Sequence, residues 1–224
     1  MKEFEGLVSL GRLMKTTSAT RGCLIQLEGD VAYMVNEPRS IMIKVKFTKN
    51  LGSGTFYAGE AVSMAETVER RDDRVLFEWR EKGKDRRSFV PDKEAFKDKA
   101  EAVLSKYYVE PNVKVPIDFL DDLSSDILIS RVRIVGDKII TRQKRSDGTV
   151  MLENEVKLRR GLVEAENYAD TGEVSVFTQD LFVLKGNAKE LWMDLAEKKP
   201  ISLKGTLEFG GKFRGIVAFL VYEV

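Results

Sequence analysis

The sequence predicts an α+β fold of two similar domains, each a mainly antiparallel sheet with short helices. Three observations support this. Strand-like segments predominate along the 224 residues, short helical patterns lie between them, and the order of helices and strands in the first half recurs in the second. With 43% hydrophobic residues, the chain can bury a real core and could form one large domain or two domains of about 110 residues each.

The predicted strands have alternating or continuous apolar residues and are bounded by turn residues such as the Gly29-Asp30 and Gly210-Gly211 pairs. Helical spacing of apolar residues and helix-end signals predict five helices. The strands are 22–30, 31–37, 40–47, 54–58, 74–79, 127–135, 137–143, 149–158, 174–177, 189–195, 201–209 and 214–224. The helices are 4–14, 60–69, 93–107, 117–123 and 178–185.

The repeat sets the expected domain boundaries. Residues 4–79 and 117–224 share the order helix, three strands, strand, helix, apolar strand, and the second copy adds a final hairpin. Between them lies a charge-rich and then aromatic segment that ends between Pro111 and Pro116, as a linker would. We therefore predict an N-terminal domain at 1–92, a connector at 93–115 and a C-terminal domain at 116–224.

Charge and cysteine usage limit the class of protein. Lys and Arg number 37 against 36 Asp and Glu, so affinity for nucleic acid would depend on charge distribution rather than on the net charge of +1. The single cysteine, Cys23, cannot form an internal disulfide, and the N-terminus lacks a secretory pattern. We expect a cytoplasmic, nucleoid-associated protein, or a host-cell location for a viral one. A balanced 33% charged content is typical of thermophile proteins.

Catalytic motifs are sparse. The chain has no histidine, which excludes Ser-His-Asp and Cys-His sites. The neighbouring carboxylates Asp72-Asp73 and Asp121-Asp122 would point apart, and the glycines near 52–54 and 210–211 lack phosphate-loop spacing. Cys23 lies in an apolar strand, where an inert buried thiol is expected. The sequence favours a protein that is not an enzyme and needs no cofactor.

Both ends of the chain resemble the sliding-clamp family of PCNA and the T4-type phage clamps. Residues 10–47 have that family's order of basic helix, small-residue turn, Cys-bearing strand, polar loop and apolar strand. Residues 188–224 look like its closing sheet, with Pro200 before a long strand and an aromatic-Leu pattern at Phe219. Val221-Tyr222 replaces the Ala-Pro typical of PCNA.

The resemblance implies a DNA clamp fold that forms a ring, expected here to be a homotrimer joined through edge strands. Helices would line a central hole around double-stranded DNA, with sequence-independent electrostatic contacts. The ring would hold a DNA polymerase, be opened by a clamp loader and bind other proteins through short peptide motifs with a hydrophobic plug.

The family pattern also implies site residues in this sequence. The DNA-binding candidates on or beside helices are Arg12, Lys15, Arg21, Arg70, Arg71, Lys185 and Lys189. The partner-binding candidates are Val35, Met42, Tyr107, Tyr108, Val109, Pro111, Pro200, Phe219 and Val221. The alternative for Arg12, Lys15 and Arg21 is a solvated helix face. For the other four cations it is a position at a helix end that complements the helix dipole, and for each apolar residue it is ordinary core packing.

Two further sets of charged residues bear on the DNA-binding prediction: an acidic helix that opposes it and a basic stripe that adds to it. The third predicted helix carries Asp118, Asp121 and Asp122, which would place negative charge near phosphates. A secondary basic stripe is formed by Arg142, Lys144, Arg145, Lys157, Arg159 and Arg160. Alternating charges on strands are also common on a solvent-exposed face.

Two other classes of protein stay open from the residues. A β-rich viral or structural binding module would share the strand content but lack the repeat and the basic inner face. A histidine-free phosphoryl-transfer enzyme using Asp and Lys is a third class, and no motif supports it.

Overall fold

The computed structural model describes residues 2–14, 21–124, 129–144, 149–158, 172–196 and 199–220. The chain divides into two compact units. The first unit comprises Met1–Val103 and Phe209–Phe213, and the second comprises Leu104–Glu208 and Arg214–Val224. The predicted domain and connector boundaries remain a prediction; the 93–115 segment contains a helix and a short strand.

The first unit begins with a helix and continues with seven strands. The four strands after the helix lie side by side in the order β4-β1-β2-β3, and the next three form a sheet in the order β5-β6-β7. The elements are α1 (Lys2–Leu13), β1 (Leu24–Glu28), β2 (Val31–Val35), β3 (Ile41–Lys46), β4 (Ser53–Tyr57), β5 (Thr67–Arg71), β6 (Arg74–Glu81), β7 (Lys84–Pro91) and α2 (Lys97–Tyr107), whose last turn is in the second unit.

The core of the first unit follows directly from its apolar pattern. Phe4 and Leu7 of α1 recur at helical spacing and are buried. The rings of Phe56 and Phe77 pack edge to face with centroids 5.1 Å apart, and Phe4 lies 6.3 Å from each of them. Acidic residues in the first turn of α1 and Arg12 in its last turn complement the helix dipole.

The second unit repeats the arrangement with shorter helices. Its strands follow the orders β11-β10-β9-β12 and β15-β14-β13-β8. The elements are β8 (Val113–Val115), a 3-10 helix (Ile117–Asp122), β9 (Ile129–Val135), β10 (Lys138–Lys144), β11 (Val150–Lys157), β12 (Val174–Phe177), α3 (Thr178–Phe182), β13 (Ala188–Asp194), β14 (Ile201–Leu207) and β15 (Lys212–Val217).

The strand order confirms the predicted fold class. The four strands β1–β4 and the four strands β9–β12 lie in the same relative order, β4-β1-β2-β3 and β12-β9-β10-β11. The following three strands are also adjacent in chain order in both units, as β5-β6-β7 and β13-β14-β15. Both units are therefore mainly antiparallel sheets of one topology with a few short helices.

The predicted helix at 60–69 is wrong. Residues 58–66 form turns and bends, and β5 begins at Thr67. Val68 is buried between exposed neighbours, which is the two-residue period of a strand, and β5 pairs with β6 from Thr67 to Arg71. Arg70 and Arg71 therefore belong to a strand and do not end a helix.

Two other predictions about strands are corrected. Residues 84–91 were not predicted as a strand because their charged side chains hide any apolar alternation, yet they form β7. The last predicted strand, 214–224, is shorter at its far end: β15 stops at Val217, and the backbone N–H of Leu220 donates to the Ser175 carbonyl of β12 at 2.7 Å. The four other predicted helices are present with shorter or shifted bounds.

Candidate nucleic-acid interface and partner site

Arg12 and Arg21 lie around the end of α1. The Arg12 guanidinium donates to the backbone carbonyls of Ala58 (3.2 Å) and Ala61 (2.9 Å), so it holds the loop that follows β4. Arg21 is exposed, with its guanidinium 5.7 Å from the centre of the Tyr57 ring. Lys15 lies outside the described residues. Arg12 has a structural role that the sequence did not indicate, whereas Arg21 is accessible to a phosphate.

Replacing Arg12 by alanine is therefore expected to destabilise the first unit. The free energy of unfolding should fall by about 1–2 kcal/mol, because two hydrogen bonds from a charged donor to loop carbonyls are lost. Urea denaturation would measure the change, with Lys49→Ala as the control, since Lys49 is exposed and should change stability by less than about 0.5 kcal/mol. Equal stability of the two variants would contradict a structural role for Arg12.

Arg70 and Arg71 both have carboxylate partners. Arg70 Nε lies 2.6 Å from Asp92 Oδ2, and its Nη2 donates to Thr55 Oγ1 at 3.1 Å. Arg71 is exposed and donates twice to Glu69 Oε2, at 2.8 and 3.0 Å. Arg70 thus joins β5, β4 and the segment after β7. A phosphate would have to compete with a carboxylate for either side chain.

The second unit places Lys185 and Lys189 differently from each other. Lys185 follows α3, where its ammonium donates to the Asp121 carbonyl at 3.2 Å and lies 3.8 Å from the Asp121 carboxylate. Lys189 is exposed on β13, beside a cleft of about 380 Å³ that Asp118 and Glu190 also line. The acidic 3-10 helix therefore neutralises Lys185 but leaves Lys189 without an ion-pair partner among the described residues.

The secondary basic stripe is paired with carboxylates along the β10–β11 ladder. Arg142 lies 3.1 Å from Glu153, and Lys157 lies 3.8 Å from Asp137. Residues 145, 159 and 160 lie outside the described residues. Arg142 and Lys157 are therefore ion-paired on a strand surface, a pattern that is common on solvent-exposed strands.

In the first unit, Val35 and Met42 lie directly opposite each other in the β2–β3 pairing. Leu24 faces Val35 from β1, so the three side chains form one half-buried apolar row across the sheet. Their neighbours Met34 and Ile43 are fully buried on the opposite face. Val35 and Met42 are therefore partly accessible, as a partner-binding residue requires.

The start of α2 is attached to the same face of the first unit. Gln26 Oε1 of β1 accepts hydrogen bonds from the backbone N–H groups of Phe96 (2.6 Å) and Lys97 (2.8 Å), which supplies a cap from outside the helix. Glu101 accepts a hydrogen bond from the Tyr33 hydroxyl at 2.6 Å and also contacts Lys44. Gln26 thus determines where α2 begins, and the contact of Glu101 with Lys44 determines which side of the helix faces the sheet.

In the second unit, the segment after α2 presents apolar surface. Tyr107 is 41% exposed and Val109 47% exposed, whereas Tyr108 is half-buried and Pro111 is buried. The Val109 N–H donates to Ser202 Oγ at 2.9 Å, which ties the segment to β14. Two exposed apolar side chains on a backbone fixed by a strand can contact a peptide without a large rearrangement.

A charged cluster surrounds this segment. The Tyr108 hydroxyl donates to Glu110 Oε2 at 3.1 Å, and burial together with Glu110 raises the pKa of Tyr108. Lys204, which also bonds to Glu110, lowers the pKa of that carboxyl, and Arg214 lies 5.7 Å from the centre of the Tyr108 ring. The cluster keeps Tyr108 neutral and Glu110 ionised near neutral pH.

The remaining partner candidates fall in different places. Pro200 is half-buried just before β14, two residues from the Ser202 that holds Val109. Phe219 is half-buried after β15, on the stretch that reaches Ser175 of β12. Val221 lies outside the described residues. Pro200 and the Tyr107–Pro111 segment therefore share a site more directly than Phe219 does.

The sequence did not indicate several residues that organise these sites. Gln26, Glu101 and Trp192 are the main ones; the Trp192 ring lies between Lys114 and Lys204, with ammonium groups 5.8 and 5.0 Å from its centre. Only the register of the strands reveals the role of Trp192, because Lys114 and Lys204 both lie opposite it. Lys114, Trp192 and Lys204 lie on three different strands and far apart in the sequence, so they form no motif that the sequence alone would show.

The described residues offer no metal site: among them no group of three or more His, Cys, Asp or Glu is placed to hold an ion. Cys23 is fully buried, and burial raises the pKa of its thiol, so it is a poor nucleophile. Within the described ranges every helix is too short or too polar to span a membrane.

The chain has the sliding-clamp fold. It is similar to a chain of the PCNA2–PCNA3 complex from Sulfolobus tokodaii, with a TM-score of 0.58 over 97% of this chain and 96% of that one, at 12% identity. It is also similar to the beta clamp of H. pylori in complex with 5-chloroisatin, with a TM-score of 0.65 over 99% of this chain, at 9% identity. This chain spans 63% of the length of the H. pylori clamp.

The likeness lies in the fold and not in the sequence. The sequence matches no protein-family model and no curated protein. Identities of 12% and 9% carry over neither residue roles nor partners. Membership of the PCNA or T4-type family remains a prediction.

Proposed function

We propose that this protein is a DNA sliding clamp, which encircles duplex DNA and tethers a replicative polymerase and other DNA-processing proteins. One observation carries the proposal: the shared order of β1–β4 and β9–β12 in two units of a chain that aligns with a PCNA chain over nearly the full length of both. The protein acts by binding, without catalysis or a cofactor. It works in the cytoplasm on DNA of any sequence.

The number of units supports a homotrimer. A chain that spans 63% of the H. pylori beta clamp corresponds to about two of the three domains that the clamp family has in each bacterial chain. The resembled family builds trimeric rings from chains of two domains, so three copies of this two-unit chain would complete a ring. A closed cyclic assembly of identical chains also leaves no free sheet edges at the joints.

Two edge strands have the surface that such an assembly needs. β7 ends the β5-β6-β7 sheet, and β11 ends the β11-β10-β9-β12 sheet. Phe89 on β7 is 52% exposed and Leu152 on β11 is 40% exposed; among the described residues they are the only large apolar side chains on strands that are this exposed. In the proposed ring, the part of β7 around Phe89 pairs with β11 of the neighbouring protomer.

The cations that face DNA in this proposal are those left free by the fold. Arg21 and Lys189 are exposed and have no carboxylate partner among the described residues, and Lys15 joins them from outside those residues. Arg70, Arg71 and Lys185 contribute less, because each already has a carboxylate partner. Peptides from the polymerase and other partners dock on Tyr107 and Val109, beside Pro200.

The decisive experiment uses a linear duplex whose ends can be blocked with a bulky protein. A ring threads onto open ends, so blocking both ends after incubation should trap the protein on the duplex through a high-salt wash. Blocking the ends before the protein is added should abolish trapping, because the topology no longer permits entry. Electrophoresis of the washed complexes, together with the mass in solution, would measure both parts.

The control is the same duplex with open ends during the wash, from which a ring should slide off. Trapping that does not depend on when the ends are blocked would contradict encirclement. A mass equal to one chain at high concentration would contradict the ring itself.

A further inference from the structure

The sheet β5-β6-β7 ends in a two-stranded β-ribbon, defined here as residues 79–86. β5 pairs with β6 only from Arg74 to Glu78, and beyond that point the described pairing of β6 is with β7. The ribbon is held by the pairs Trp79 with Arg86, Arg80 with Asp85, and Glu81 with Lys84. Residues 80–87 are all exposed, so the ribbon extends beyond the packed part of the unit.

A tight turn joins the two strands of the β-ribbon. Lys82 and Gly83 occupy it with φ values of 48° and 74°, which fits the two-residue hairpin turn with both central residues left-handed. Asparagine or aspartate normally precedes glycine in such a turn, because lysine is strained at positive φ. A lysine at the tip therefore calls for a reason other than the geometry of the turn.

The charge of the β-ribbon supplies that reason. Its eight residues contain four basic and two acidic side chains, in a chain whose net charge is only +1. Arg80 lies 3.7 Å from Asp85, and Arg86 lies 3.4 Å from Glu81, so the two acids are already paired. Lys82 and Lys84 have no ion-pair partner among the described residues. The tip thus carries two exposed ammonium groups, without ion-pair partners among the described residues, on a short two-stranded support.

We propose that the β-ribbon is a second nucleic-acid contact, in which Lys82 and Lys84 bind phosphates of the backbone. A two-stranded ribbon is narrow enough to enter the major groove, whose width is about 12 Å. A lysine ammonium is a point charge and lacks the planar pair of donors with which arginine reads base edges. It therefore suits contacts to backbone phosphates, which do not depend on sequence. Trp79, half-buried at the base of the ribbon, adds an aromatic face beside Arg86.

Lysines on an exposed strand edge can also serve to prevent aggregation with other sheet edges. The experiment therefore has to distinguish this protective role from phosphate binding. The edge explanation requires only that Lys82 and Lys84 be charged in water. Phosphate binding requires that they release counterions from nucleic acid, which is measurable as salt dependence. This contact does not depend on encirclement, because a short duplex with open ends is sufficient to test it.

The test compares wild type with Lys82→Ala/Lys84→Ala by fluorescence anisotropy on a short labelled duplex over a series of salt concentrations. Loss of two phosphate contacts should lower the slope of log K against log salt by about 1.8 on B-form DNA. The matched control is Lys49→Ala/Lys212→Ala, which removes two exposed lysines elsewhere and should leave the slope unchanged. The Leu152→Arg variant, which should be monomeric, should retain the contribution of the ribbon.

Three results would overturn the proposal. The slope could be the same for wild type and the ribbon variant, or wild type could fail to bind the duplex even at low salt. Polyglutamate could also bind wild type as tightly as the duplex and lose binding in the ribbon variant, which would point to an acidic protein partner. Because monomers suffice for this test, trapping between blocked ends can fail while ribbon binding succeeds, and the reverse also holds.

Discussion

If the proposed ring forms, replacing Phe89 or Leu152 by arginine is expected to convert it into monomers of unchanged fold. Both side chains are about half-exposed in the single chain, so an arginine there is solvated in the monomer. In the proposed ring each would lie at a strand pairing between protomers, where an unpaired charge is costly to desolvate. We expect association to weaken by a factor of more than about 100, equivalent to roughly 3 kcal/mol at each joint.

Sedimentation over a range of concentrations would measure this change, and circular dichroism would verify the fold. Met64→Arg is the matched control, because Met64 is 55% exposed but lies in a turn and not on a sheet edge. Trapping on end-blocked duplex should be lost in the two edge variants and retained in the control. A stable trimer in either edge variant would exclude β7 and β11 as the joint.

Replacing Phe56 by alanine should have the largest effect on stability in the first unit. The Phe56 ring is fully buried and packs against Phe77 edge to face, with Phe4 as the third ring. Truncation leaves a cavity that rigid neighbours on α1 and β6 cannot fill. The free energy of unfolding should fall by about 3–5 kcal/mol.

Guanidinium denaturation would measure the loss, and Phe56→Leu provides the comparison because it keeps most of the volume and should cost clearly less. If the two units unfold in separate transitions, only the one that reports on the first unit should shift. Equal losses for alanine and leucine would show that volume at this position does not determine stability.

The sequence predicted the repeat because strands such as β3 and β9 alternate buried and less buried residues, and glycine turns follow β1 and β9 at Gly29 and Gly136. α1 was equally clear, since one buried stripe at helical spacing leaves its other face polar. These elements are set by local pattern and by burial of one face. The fold class depends on them and was therefore accessible from the sequence.

The wrong secondary-structure predictions fall in segments whose local sequence pattern differs from the structure that they adopt. The segment 60–69 has alanines and acids that favour a helix, but pairing of β5 with β6 overrides that preference, as tertiary contacts often do. β7 was missed because a charged strand shows no apolar alternation, although Lys82-Gly83 is a turn signal. β7 forms because it pairs with β6, and its own sequence carries no signal of that pairing.

The sites were less predictable than the fold. Whether a cation is available to DNA depends on its carboxylate partners, which come from distant positions: Asp92 for Arg70 and Asp121 for Lys185. Arg12 is likewise engaged by carbonyls far along the chain. Residue type and helix position indicated these cations, but only tertiary structure separates a free ammonium from a neutralised one.

The way Gln26 fixes the start of α2 has a consequence for related chains of different length. Asp92 accepts a hydrogen bond from the Thr55 N–H, and the Lys93 N–H donates to the Thr55 carbonyl, so the segment is held on one side as well. Between these anchors and the capped N–H of Phe96 only Glu94 and Ala95 are exposed and unanchored by backbone hydrogen bonds among the described residues. Insertions and deletions should accumulate at those two positions, while a change of length between Phe96 and Glu101 would turn the helix and remove Glu101 from Tyr33.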